Sequence, residues 1–261
     1  MTDENAPTTD TSRLGVLAAA SLSLMLLTGC PSFTSFRSAR ALQPGQLQMT
    51  GAAEVLGMTA PSNSGLGGAR PSIGFAARYG VADGVDLGLK MGPIAGVAVD
   101  GTFQLARGPV DVALGPGFSY FSTPVPVGYG PKTVEQLATS PDYTIVAPSV
   151  PVLVGVNLGR GHQLIFAPRA TAWFVQPQAS QPGGGAVTGG MEILGGLSAG
   201  VSIKTFGRLR VMPEVGATVP IAWTGASPDT CTGAACAPIH AHAVVVQGGI
   251  AIIIGPDDLG P

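Results

Sequence analysis

Apolar and polar residues alternate with a period of two along most of this chain, a pattern that builds strands with one apolar face and no amphipathic helix. Over 94–106, Ala95, Val97, Val99, Phe103 and Leu105 form one row opposite Asp100, Thr102 and Gln104. Over 110–121 the apolar row is Val110, Val112, Leu114, Phe118 and Tyr120, opposite Asp111 and Ser119. Over 208–223 it is Leu209, Val211, Val215, Val219, Ile221 and Trp223, facing Arg208, Arg210, Glu214 and Thr218. Segments 47–55, 73–81, 85–91, 162–174 and 191–203 alternate in the same way, while 144–158 and 241–254 are more uniformly apolar. The sequence therefore predicts about ten strands.

The connections fall into two classes. Tight turns rich in glycine are expected at 78–84, 106–109, 159–162 and 205–208, and longer stretches rich in Pro, Gly and Ser lie at 57–70, 122–142, 176–189 and 224–240. The link at 92–95 falls in a long-loop position but is short. Short turns alternating with long loops are how outer-membrane barrels place turns in the periplasm and loops outside. The predicted fold is an all-β, antiparallel, up-and-down transmembrane barrel.

Composition decides which face turns outward. Only 11% of the residues are charged and 39 are glycine, against roughly 25% charged in ordinary soluble domains. The polar face is mostly Gly, Ala and Ser, a poor solvated exterior but a suitable lining for a narrow lumen. Pro116, Pro148, Pro168 and Pro213 interrupt predicted strands, so bulges or strand ends are expected there. Beyond residue 29 the chain holds 12 acidic and 12 basic side chains, which argues against electrostatic nucleic-acid binding.

At the N-terminus, 14–27 is almost wholly apolar, too short to cross a bilayer as a helix but suited to a secretory signal. It ends in Leu27-Thr28-Gly29-Cys30, which resembles a lipobox. That resemblance implies acylation of Cys30, cleavage before it, and, with Pro31 next, sorting to the outer membrane. An ordinary cleaved signal with an incidental cysteine is the alternative. The resulting division is a signal peptide at 1–29, a lipid-anchored periplasmic linker at 30–45, a barrel at 46–255 and a tail at 256–261. With RYGVADGVDLGLK at 78–90 and VGVNLGRGHQLIFAPR at 154–169, the chain resembles small outer-membrane barrel lipoproteins of the myxobacterial type over most of 40–254.

Candidate functional residues are few. The inward rows are expected to carry Glu54, Asp86, Asp100, Asp111, Glu192 and Glu214 against Arg78, Lys90, Arg169, Lys204, Arg208 and Arg210. A balanced set in a small lumen reads as a salt-bridge network before it reads as catalytic acids. Cys231 and Cys236 precede His240 and His242. A disulfide in an oxidising compartment is favoured over zinc, whose common finger spacings this C-x4-C-x3-H-x-H run does not match. No nucleophile elbow or phosphate loop is present, so neither an enzyme nor a cofactor is expected. The expected partners are membrane lipid and an extracellular molecule at the loops. The expected role is structural or surface-binding with a largely occluded lumen. The alternatives are a narrow channel for ions or small solutes and a lipid-anchored soluble barrel holding a small apolar ligand.

Overall fold

The computed structural model describes residues 34–59, 66–92, 96–124, 142–177, 190–225 and 244–256. Eleven strand segments make one antiparallel sheet: β1 (Leu47–Thr59), β2 (Leu66–Ala82), β3 (Val85–Met91), β4 (Val97–Ala106), β5 (Val110–Leu114), β6 (Gly117–Pro124), β7 (Asp142–Gly159), β8 (His162–Pro177), β9 (Gly190–Lys204), β10 (Leu209–Gly225) and β11 (Val244–Ile254). Apart from β5 and β6, each strand pairs with its neighbours in sequence, and β1 pairs with β11 from Met49↔Ile254 to Thr59↔Val244, closing the barrel. β5 and β6 both lie between β4 and β7. They are two halves of one strand, so the barrel has the predicted ten.

The break between β5 and β6 falls at Gly115-Pro116, where proline has no N–H to give to a ladder. The other prolines are absorbed differently. In the β7–β8 ladder the pairing lapses between Val146 and Ser149, beside Pro148, and again between Pro151 and Val154, opposite Pro168. The register is the same on either side of both lapses, so these prolines remove rungs without shifting strands. Pro213 stands directly opposite Ile250 within β10–β11.

The turns explain the ladder's other end. Gly84 has φ +74°, and Gly159, Arg160 and Gly161 all lie at positive φ, the conformation that two-residue hairpin turns demand. Strands run further toward the long loops than the alternation suggested: β1 to Thr59, β2 back to Leu66 and β6 to Pro124. Backbone pairing around a closed barrel continues through Gly- and Ser-rich stretches whose side chains show no pattern.

The two faces are sharply different. Glu214 is 2% exposed and its neighbour Val215 is 64% exposed. Phe75, Leu87, Val99, Leu105, Leu197 and Ile252 share the outward surface, while Val112 and Val152 stand on outward rows but half-buried. The β9–β10 register shifts between Pro220 and Ala222, and Trp223 pairs with Glu192. Among the described residues there is no helix long and apolar enough to cross a membrane.

Candidate functional site

The interior is not an empty channel. Residues 34–46 precede β1, and over 34–42 the chain runs inside the barrel, with Thr34, Phe36, Arg37, Ala39, Ala41 and Leu42 all buried, before 43–45 emerge exposed. Of the stretch expected as a periplasmic linker over 30–45, residues 34–42 lie within the lumen as a plug.

Side chains from the surrounding strands satisfy its backbone one amide after another. Near the short-turn end, Asp86 accepts from the Leu42 N–H at 3.0 Å and Gln104 from the Ala41 N–H at 2.7 Å. Gln163 accepts from the Ala39 N–H at 3.1 Å. Deeper in, the Glu214 carboxylate accepts from Ser35 N–H at 2.8 Å and Phe36 N–H at 2.7 Å. Phe36 lies at φ +41°, a left-handed bend of the kind that turns successive N–H groups toward one anion. At the upper limit of the described segment, the Lys90 ammonium donates to the Thr34 carbonyl at 2.8 Å and Gln247 donates to the Thr34 hydroxyl at 3.4 Å. A non-helical backbone buried in a barrel has no partners of its own, so these contacts discharge the polar groups that would otherwise make its burial prohibitive.

The plug's own charges complete the interior network. Arg40 donates to Asp111 through Nε and Nη2, one edge of its guanidinium, at 3.1 and 3.2 Å. Asp111 also accepts from Gln163 at 2.8 Å and Asn157 at 3.1 Å. Arg37 donates to Asp100 at 3.1 Å and to the carbonyls of Gly101 and Gly115. Arg78 links Asp86, Asp100 and Thr102. Gln247 also donates to Glu54.

Apolar contacts hold the rest. Phe36 packs with Ala52, Ile165, Met212, Ala251 and Ile253, and Ala39 with Ala113, Leu153 and Ala167. Glycine makes the room. A Cβ on Gly115 would lie 1.8 Å from the Arg37 guanidinium, one on Gly80 1.9 Å from the Gln43 carbonyl, and one on Gly249 2.9 Å from the Phe36 ring.

Of the residues expected to line the lumen, Glu54, Arg78, Asp86, Asp111, Glu192, Arg210 and Glu214 are buried inside. Asp100 and Lys90 join the plug contacts above, and Arg169 donates to the Ser198 hydroxyl at 3.1 Å. Arg210 donates to the Gly161 carbonyl at 2.6 Å. Glu192 lies apart, near the long-loop end, directly opposite Trp173, whose ring meets Phe121 edge-on at 6.1 Å. Arg208 is placed differently from expectation: it is exposed in the turn between β9 and β10. Lys204 ends β9 at the same rim, its N–H donating to His162 Nδ1 at 3.1 Å. Arg208 falls there because β10 starts at Leu209, one residue later than the alternation implied. Cys30, Cys231 and Cys236 lie outside the described residues, as do His240 and His242. Among the described residues no group of His, Cys, Asp and Glu is placed to hold a metal ion.

Sequence reasoning missed Arg37, Arg40, Gln104, Gln163 and Gln247. The arginines that neutralise Asp100 and Asp111 come from a segment with no strand periodicity. The glutamines look like ordinary inward polar residues until a backbone is placed against them.

No family model and no curated protein matches the sequence. Among solved structures, the chain is similar to Neisserial surface protein A, at 8% identity over 80% of this chain and 96% of that one, with a TM-score of 0.39. It is similar to the outer membrane protease OmpT from Escherichia coli at 8% identity, over 84% of this chain and 98% of that one, with a TM-score of 0.45. It is also similar to the translocator domain of the autotransporter NalP from Neisseria meningitidis at 10% identity, over 94% and 96%, with a TM-score of 0.39.

Proposed function

We propose that this chain is an outer-membrane β-barrel lipoprotein, sealed by its own N-terminal segment, that serves a structural or surface-binding role through its long loops. The apolar exterior supports the membrane assignment. Each large apolar side chain left in water forgoes about 1.5–3 kcal/mol of burial, and here such residues stand outward on strand after strand. The described charges are inside or at the short turns, as with Asp83, Arg107 and Arg208. A soluble barrel would invert this arrangement, so a bilayer is the solvent that fits.

The observation that carries the role is the plug: residues 34–42 fill the short-turn half of the lumen, and side chains from β3, β4, β8 and β10 hold their amides. A ten-strand barrel has little more space than the eight-strand barrels whose side chains alone fill them. One extended segment occupies that surplus. Solute flow through such a lumen would require the segment to leave.

Planar-bilayer recording of the full chain beside a variant lacking 34–45 tests the proposal. The full chain is expected to show no steady open state, and the deletion variant to conduct. Steady conductance of the full chain would reject the sealed-lumen reading and favour the narrow channel.

A further inference from the structure

We infer that the long-loop end of the lumen is a binding site for a small organic cation, an ammonium with an apolar body, held by the Glu192 carboxylate against Trp173 and Phe121. This deepens the surface-binding reading above and rests on it.

Glu192 is the interior charge that the network leaves out. It is 6% exposed, yet among the described residues it has no hydrogen-bond or ion-pair partner. Distance along the wall explains why. On β9 it stands eight residues from Gly200, which pairs with Glu214, the residue that holds the amides of Ser35 and Phe36. At about 3.3 Å per residue that is roughly 26 Å along the strand. The nearest described basic residue along the two flanking strands is Arg169 on β8. It pairs with Gly196 and donates to Ser198, so its guanidinium reaches away from Glu192.

The surroundings are apolar. Trp173 is the direct partner of Glu192 across the β8–β9 ladder, and such neighbours have Cβ atoms about 4.5–5.5 Å apart. The Trp173 ring meets Phe121 edge-on, Phe121 pairs with the buried Ile145, and the buried Leu194 follows Glu192 on the inward row of β9. A charged carboxylate without a partner is costly in such a place. Its oxygens are not sealed off, so a ligand can reach them from the lumen.

This donor set selects the class of ligand. A divalent metal ion needs several oxygen ligands, and the described residues bring no such group together. An ammonium needs less, because one carboxylate cancels its charge and aromatic rings attract it through their π faces. An anion would be repelled by Glu192, and a purely apolar ligand would leave the carboxylate bare. Because residues 34–42 fill the short-turn half of the lumen, the cation enters from the long-loop side.

Isothermal titration calorimetry of the full chain in detergent micelles tests the site, with benzyltrimethylammonium as the probe and benzyl alcohol as its uncharged control. Saturable binding is expected for the cation alone. Glu192→Gln should weaken it at least about tenfold, and Trp173→Leu about threefold or more. No saturable binding of the cation, binding of the alcohol with equal affinity, or unchanged binding by Glu192→Gln would each overturn the site. The comparison of the two probes on the unaltered chain decides the matter even where a variant fails to fold. Heat-modifiable migration of the same samples reports whether the barrel has closed. A closed barrel that ignores the cation rejects the site and leaves the surface-binding reading standing, whereas an unaltered chain that does not close rejects both.

Discussion

Asp111 is fully buried, yet its carboxylate serves the Arg40 guanidinium, the Gly108 N–H, Asn157 and Gln163 at once. Removing a partner from such a set leaves a buried charge uncompensated, at about 3–5 kcal/mol. Asp111→Ala should therefore lower barrel stability by that order in urea unfolding from lipid vesicles, and Asp111→Asn, which keeps part of the hydrogen bonding, should cost less. Equal losses would mean that the hydrogen bonds an amide retains contribute nothing, and a loss confined to Asp111→Ala would mean that the charge does not matter. On the outer face the sign of the preference reverses. Val215 stands outward near the middle of β10, so Val215→Arg is expected to cost about 2–4 kcal/mol in the same measurement, and a neutral result would place that row in water. At this scale the sequence showed which residues alternate but not which partners they find: Asp100 and Asp111 could be assigned to the interior, whereas Arg37 and Arg40 could not.

The plug is the element that local sequence signals conceal. Its residues have no regular hydrogen-bonding period, and its buried amides are satisfied by side chains on strands far away in sequence, such as Glu214 for Ser35 and Gln163 for Ala39. The glycines that admit it, Gly80, Gly115 and Gly249, read from sequence as a generally small-residue lumen face. The strands were legible because a barrel wall repeats one rule, apolar out and small or polar in. Their ends were not, because pairing outlasts the pattern. Substituting Arg37→Met and Arg40→Met together removes the plug's ion pairs without changing a residue of the wall, and leaves Asp111 with its uncharged donors only. Since a hydrogen bond to a charged group contributes about 1.5–3 kcal/mol, the open fraction in bilayer recordings should rise about tenfold or more. An unchanged open fraction would show that apolar contacts around Phe36 alone hold the segment.

For the whole molecule, closure of β1 on β11 leaves no free sheet edge, which is the condition for a strand structure to live in lipid. Cys231 and Cys236 fall in the connection between β10 and β11, outside the described residues. We propose that these two thiols form a disulfide, and thiol labelling should detect them only after reduction; free thiols that become reactive on chelation would favour a metal instead. The account as a whole depends on the chain's own N-terminal segment occupying the lumen of a closed barrel. Cysteine cross-linking measures that directly, because Ala39 and Ala113 lie in one buried cluster, the first on the plug and the second on β5. In a Cys231→Ser, Cys236→Ser background, Ala39→Cys with Ala113→Cys should form an efficient intramolecular disulfide in native membranes under mild oxidation. A barrel that remains heat-modifiable but yields no such cross-link would contradict the account.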